Sequence, residues 1–135
     1  MKIVGFGLDK ISGEKKKPIS GKLEVKSNLE ILEVKKAELE LMKKEATLKF
    51  SFRYSILYEP GFAELVFEGF IVLVVDESKS KDILKEWKKK KVEDDVRVPL
   101  FNIVMTKCNI KALQIEEELS LPTHIPMPRI QPPQN

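Results

Sequence analysis

A four-stranded antiparallel sheet followed by two helices, an α+β arrangement ending in an extended proline-rich tail, is the fold class this sequence predicts. Three observations lead to it. Every second residue from Ala46 to Tyr58 is apolar, Phe50, Phe52 and Tyr54 among them, with Thr47, Lys49, Ser51, Arg53 and Ser55 between. Only a strand gathers such a period of two onto one face. Glu59-Pro60-Gly61 then supplies tight-turn chemistry between this strand and the next. After Asp76 the apolar spacing changes to that of a helix.

The elements follow in order. Lys2 to Leu8 reads as a first strand, with Val4, Phe6 and Leu8 on a bulky face and Ile3, Gly5 and Gly7 on a nearly bare one. Ser12 to Pro18 mixes turn formers with like charges and reads as a solvated loop. In the region Leu23 to Lys44, residues Leu23, Val25, Leu29 and Ile31 alternate as a strand does. Leu32 and Val34 take the opposite parity, as a bulge or a break requires. Ala37 to Met42 combines helix-prone residues with alternating spacing. It is read as strand, with helix the open alternative over Leu32–Lys44.

The fourth strand, Phe62 to Asp76, ends as Phe70-Ile71-Val72-Leu73-Val74-Val75, apolar on both faces. An antiparallel strand usually wets one face, so a helix, another subunit or a ligand must cover the second. Ser78 or Ser80 then caps a short helix with Ile83, Leu84 and Trp87 on one side. Val92 to Val96 forms a connection, and a second helix begins near Pro99. Its stripe is Phe101, Met105, Cys108, Ala112, Ile115 and Leu119, with Leu100, Ile103, Ile110 and Leu113 alongside. So broad a face predicts a subunit contact as well as a sheet contact. Leu121 to Ile130 carries too many prolines for a helix. It reads as an extended segment docked through its apolar residues. The organisation is one domain, 1–130, and a loose end, 131–135.

Composition excludes several function classes. The 135 residues, 42% hydrophobic and 33% charged, suit one folded domain. No run reaches the ~18 apolar residues of a membrane span, so no membrane insertion is expected. The first residues lack a signal-peptide pattern, and a single cysteine permits no internal disulfide. Cytoplasmic residence is the expectation. The Lys- and Glu-rich, Gln-poor composition resembles that of proteins from hot environments. A net charge of +3 is small for a nucleic-acid binder. Lys88 to Lys91 is favourable simply as a helix C-terminus. Phe50, Phe52 and Tyr54 lie on the face opposite Lys49 and Arg53, whereas a nucleic-acid platform needs aromatics and cations together. No nucleic-acid partner is expected.

Nor does a catalytic site emerge. His124 is the only histidine and has no companion ligands, so no metal is expected. Cys108 sits on an apolar helix stripe with no base to activate it. Gly5-Phe6-Gly7 lacks the remainder of a phosphate loop. Glu116-Glu117-Glu118 reads as a solvated acidic turn rather than a catalytic carboxylate pair. The chain is expected to be no enzyme and to use no cofactor.

Three motifs carry a family resemblance. Phe62-Ala63-Glu64-Leu65 through Gly69-Phe70-Ile71-Val72 sets an acid after an apolar residue, then a glycine that opens an apolar run. Ile11-Ser12-Gly13-Glu14 would end the first strand, and Leu121-Pro122 through Pro126 follows the last helix. Together with the order of elements, these resemble the SecB family over nearly the whole chain. That family comprises cytosolic holding chaperones whose protomers associate as a dimer of dimers. The resemblance implies an ATP-independent homotetramer that binds unfolded polypeptide clients in apolar grooves and serves protein transport.

In that family, acidic residues on the flat sheet surface engage the translocase motor. Glu14 and Glu64 retain an acid at matching positions, and Phe62 retains the apolar neighbour. Lys10 stands where the family has an acid, and no acidic residue follows Pro126. Client holding is therefore the part of the family's work expected here. The third-strand aromatics suffice for one core, which leaves Phe6, Phe62, Phe70 and Trp87 as surplus apolar surface and as the expected client-binding residues. The alternative is a structural or regulatory oligomeric scaffold without clients.

Overall fold

A computed structural model describes residues 1–37 and 44–133. The strands are β1 (Lys2–Lys15), β2 (Glu24–Ala37), β3 (Glu45–Glu59) and β4 (Ala63–Asp76), followed by helices α1 (Glu77–Trp87) and α2 (Asp94–Glu118). They form one antiparallel sheet in the order β1-β4-β3-β2, with both helices after it in sequence. The predicted fold class stands.

β3 is the centre of the core because its period is unbroken. Leu48, Phe50, Phe52, Tyr54, Ile56 and Tyr58 are each at most 1% exposed. Across the hairpin, Leu65, Phe67, Ile71 and Leu73 of β4 fall on the same face and are equally buried. Burial of each such side chain stabilises the fold by about 1.5–3 kcal/mol. Phe6 stacks on Phe52 with centroids 5.8 Å apart, and Tyr54 on Phe67 at 6.3 Å. Gly61, at φ +67°, closes the β3–β4 turn as a left-handed position demands.

The opposite sheet face is half apolar. Val66, Phe70, Val72 and Val74 lie there, part-exposed, so the second apolar face of β4 is real and stays open in the single chain. The Phe70 ring lies over Gly7, where an added Cβ would come within 2.7 Å of it. A Cβ on Gly69 would collide with the Gly7 carbonyl oxygen. The glycine that opens the apolar run of β4 is thus a requirement of close strand approach.

Several expectations need correction. β1 runs to Lys15 rather than Leu8, because Ser12, Gly13 and Glu14 pair with Val66, Leu65 and Glu64. A full backbone ladder outweighs their turn preference, and an edge strand keeps its charges in water. Register shifts between Ile3 and Gly5 and between Leu8 and Lys10 turn Ile3, Phe6 and Leu8 toward the core. Val4, expected on that face, bulges out at 48% exposure. β2 shifts register between Ile31 and Glu33, which matches the predicted bulge and leaves Leu32 39% exposed. Of the Ala37–Met42 reading, Ala37 ends β2, and residues 38–43 lie outside the described residues.

α1 starts at Glu77 straight off β4, with Asp76 at the cap position and no side-chain cap bond. The Glu77 amide donates to the Lys44 carbonyl at 3.0 Å, so neither Ser78 nor Ser80 is needed as a cap. α2 begins at Asp94, before the expected Pro99, which sits inside the helix. Asp94 and Asp95 in the first turn suit the positive end of the helix dipole. The buried line of α2 is Val96, Leu100, Val104, Cys108, Ala112 and Glu116, spaced by four. Phe101, Met105, Ile115 and Leu119 flank it, and Ile110 is 57% exposed. In the tail Leu121 is buried, but Met127 and Ile130 are free of the core, so docking ends near Ile125.

Candidate functional site

The parity break in β2 lies at a surface groove. Where Leu32 is squeezed out of register, the strand edge opens toward the connection between α1 and α2. The space there is about 710 Å³, with Ile31, Leu32, Trp87, Val92 and Phe101 as its apolar lining. Trp87 is the last residue of α1. Lys90, at φ +59°, reverses the chain and brings its ammonium 4.7 Å from the indole centroid. The Arg97 guanidinium lies 5.9 Å from the Phe101 ring and bonds Asp94 at 2.6 Å. Cations over aromatic faces contribute about 0.5–1 kcal/mol each at exposed sites. They hold the two rings in place and leave them part-exposed. Such a trough suits an extended apolar segment.

The four expected client-binding residues do not converge. Trp87 lines the groove. Phe6 is part-buried on the core face of β1, against Phe52 and 6.0 Å from the Lys107 ammonium. Phe70 lies on the opposite sheet face, 4.7 Å beneath the Lys49 ammonium. Phe62 is 4% exposed, so it is core and not surplus surface. The β4 hairpin folds it inward, and its carbonyl accepts from the Lys16 and Lys17 amides. Glu14 and Glu64 are brought together as direct cross-strand partners, and Lys16 lies 3.6 Å from Glu64. The apolar groove residues missed were Ile31, Leu32, Val92 and Phe101. Leu32 had a signal, its broken parity, whereas Phe101 was absorbed into a core stripe.

A buried polar cluster overturns the reading of Glu116 as part of a solvated turn. Its side chain is 0% exposed and that of His124 is 3% exposed. Tyr58 Oη lies 2.8 Å from Glu116 Oε2 and 2.6 Å from the Pro122 carbonyl. His124 Nδ1 is 2.8 Å from Glu116 Oε2, while Nε2 is 2.8 Å from Asn109 Oδ1. That oxygen also accepts from the Tyr54 hydroxyl at 3.0 Å. Each ring nitrogen of His124 thus has a side-chain oxygen within hydrogen-bond distance. Burial, then the hydrogen bond to Glu116 and its charge, push the Tyr58 hydroxyl far above the ordinary tyrosine range. Burial raises Tyr54 as well. The Tyr58 and Glu116 ends of the cluster are fully buried, whereas His124 and Asn109 are only part-buried. The cluster fastens the tail to α2 and β3.

Burial also pushes the Cys108 thiol up to about 11, the reverse of a nucleophile's requirement. Among the described residues no group of three or more His, Cys, Asp or Glu could hold a metal, and no helix is long and apolar enough to cross a membrane.

No protein-family model matches the sequence, and no curated protein is significantly similar to it. Among solved structures, the chain is similar to a SecB-like chaperone of Mycobacterium tuberculosis, solved in complex with a ChAD peptide from an antitoxin. The TM-score is 0.51 at 15% identity, covering 98% of this chain and 92% of that one. At that identity the likeness shows the fold: the chain has the SecB-like arrangement.

Proposed function

We propose that this chain is a cytoplasmic holding chaperone. It binds non-native polypeptides through apolar grooves, as an oligomer on a dimer-of-dimers plan, and turns over no nucleotide. The observation that carries this reading is the groove beside β2, with Trp87, Phe101 and Leu32 part-exposed in about 710 Å³. Unfolded chains expose apolar side chains at intervals, and burial of about 25 cal/mol per Å² rewards many of them alike. Binding is therefore broad in sequence and carries a negative heat-capacity change. The peptide bound by the structural neighbour supports polypeptide as the ligand class. Phe70, Val72 and Val74 on the open sheet face support association of copies. The adjacent carboxylates of Glu14 and Glu64 suit a basic partner.

The test dilutes a chemically denatured model substrate into the purified protein and follows light scattering. A stoichiometric amount suppresses aggregation, and Leu32→Asp or Trp87→Ala weakens that effect while the oligomer persists. If wild-type protein leaves scattering unchanged although folded and oligomeric, the chain is a scaffold. The open apolar face of β4 supports that second reading equally well.

A further inference from the structure

The tail leaves the fold with its apolar residues bare. Leu121 is buried and His124 is tied to Glu116 and Asn109, yet Met127 is 50% exposed and Ile130 101%. Pro126, Pro128, Pro132 and Pro133 keep this stretch out of helix, and it has no strand partner among the described residues. In the polyproline II form, with about three residues per turn, Met127, Ile130 and Pro133 share one ridge. Arg129, beside that ridge, is the only formally charged side chain after Glu118.

The groove beside β2 has complementary features. Trp87 and Phe101 give it the aromatic walls on which proline-rich extended segments dock, since their fixed backbone lowers the cost of ordering. Glu93 stands on its rim, and neither Glu93 nor Arg129 forms an ion pair among the described residues. Of the rim cations, Lys90 already lies over Trp87 and Arg97 already bonds Asp94. Lys91 is also on the rim, so the match is local, of Arg129 to Glu93, rather than one of net charge. The tail does not fill its own groove. His124 anchors it to the second half of α2, whereas the groove draws Asp94, Arg97 and Phe101 from the first third.

We propose that the groove of one copy takes the Met127–Pro133 segment of a second copy, with Met127 and Ile130 against Trp87 and Phe101 and Arg129 near Glu93. The segment acts as a resident ligand that clients must displace. This rests on the groove being a peptide-binding surface, as proposed above, but not on client holding itself.

Trp87 is the only tryptophan, so its emission reads the groove directly. The full-length double variant M127D/I130D alters two exposed side chains and leaves the fold intact. Its Trp87 emission is expected to lie to the red of wild type. Adding a synthetic peptide of residues 125–133, or full-length Trp87→Phe copies with intact tails, shifts the variant's emission back to the blue. The same variant captures denatured substrate at a lower ratio of protein to client than wild type. The proposal is overturned if wild type and double variant emit alike and neither addition moves the variant. It is also overturned if the peptide works but the intact copies do not, which leaves no role for a second copy. A tail-dependent shift without suppression of aggregation refutes the chaperone reading and leaves this one standing.

Discussion

The Tyr58 hydroxyl and the Glu116 carboxylate meet at 2.8 Å in the core, joining the central strand to the last turn of α2. Neither group reaches water, so each depends on the other. Tyr58→Phe removes the donor shared by Glu116 and the Pro122 carbonyl. Leaving buried acceptors unmatched costs about 1–3 kcal/mol, which urea denaturation will register as a lower midpoint with an unchanged slope. A double-mutant cycle with His124→Ala yields a coupling of about 0.5–3 kcal/mol, whereas surface substitutions at Lys81 and Lys85 yield additivity.

Alkaline pH supplies a second test. The folded-state pKa of Tyr58 is raised above the ordinary tyrosine value of about 10. A group raised on folding contributes stability that is complete below its unfolded value and is lost as pH rises toward the folded one. Unfolding midpoints should therefore be flat with respect to this group up to about pH 10 and fall above it. The fall should be shallower in Tyr58→Phe. A wild-type midpoint that rose above pH 10 would contradict the buried cluster.

Cys108 is expected to be inert in the native protein. Its thiol is fully buried and raised to about 11. At pH 8 a disulfide reagent should label it only at the rate of unfolding and at once in denaturant. Rapid labelling of native protein would place it on an accessible surface and break the buried line of α2.

The two glycines at the β1–β4 contact should respond unequally. An added Cβ on Gly69 meets backbone, the Gly7 carbonyl, which cannot step aside without breaking the ladder. On Gly7 it meets only the Phe70 ring, a side chain free to turn. Gly69→Ala should cost about 1–3 kcal/mol or more, and Gly7→Ala less. Thermal melts of the two variants check the order.

Much of this was legible in the sequence, and the limits have physical causes. β3 was readable to its ends because alternation records burial on one side. The irregularity of β2 was readable because a parity change in a strand means a bulge or a break, and the continuous ladder to β3 makes it a bulge. The second half of β1 was hidden because an edge strand need not alternate, and its partner sets its length. In α2, spacings of three and four fit two neighbouring stripes equally well, and the sheet chooses between them. Glu116 was unreadable in principle: a carboxylate is buried only where Tyr58 and His124 arrive from distant parts of the chain. The groove was half legible, through Trp87, and half dependent on how β2 meets the helix connection.

The interruptions in the two outer strands carry a further consequence. β1 is broken at Val4 and again at Asp9, and β2 at Leu32, whereas the two inner strands pair without a shift. A smooth outer strand offers a continuous row of amides and carbonyls to any passing chain and invites open-ended stacking. Irregular margins end such a row after a few residues. The sheet is thereby kept from templating open-ended growth at either margin.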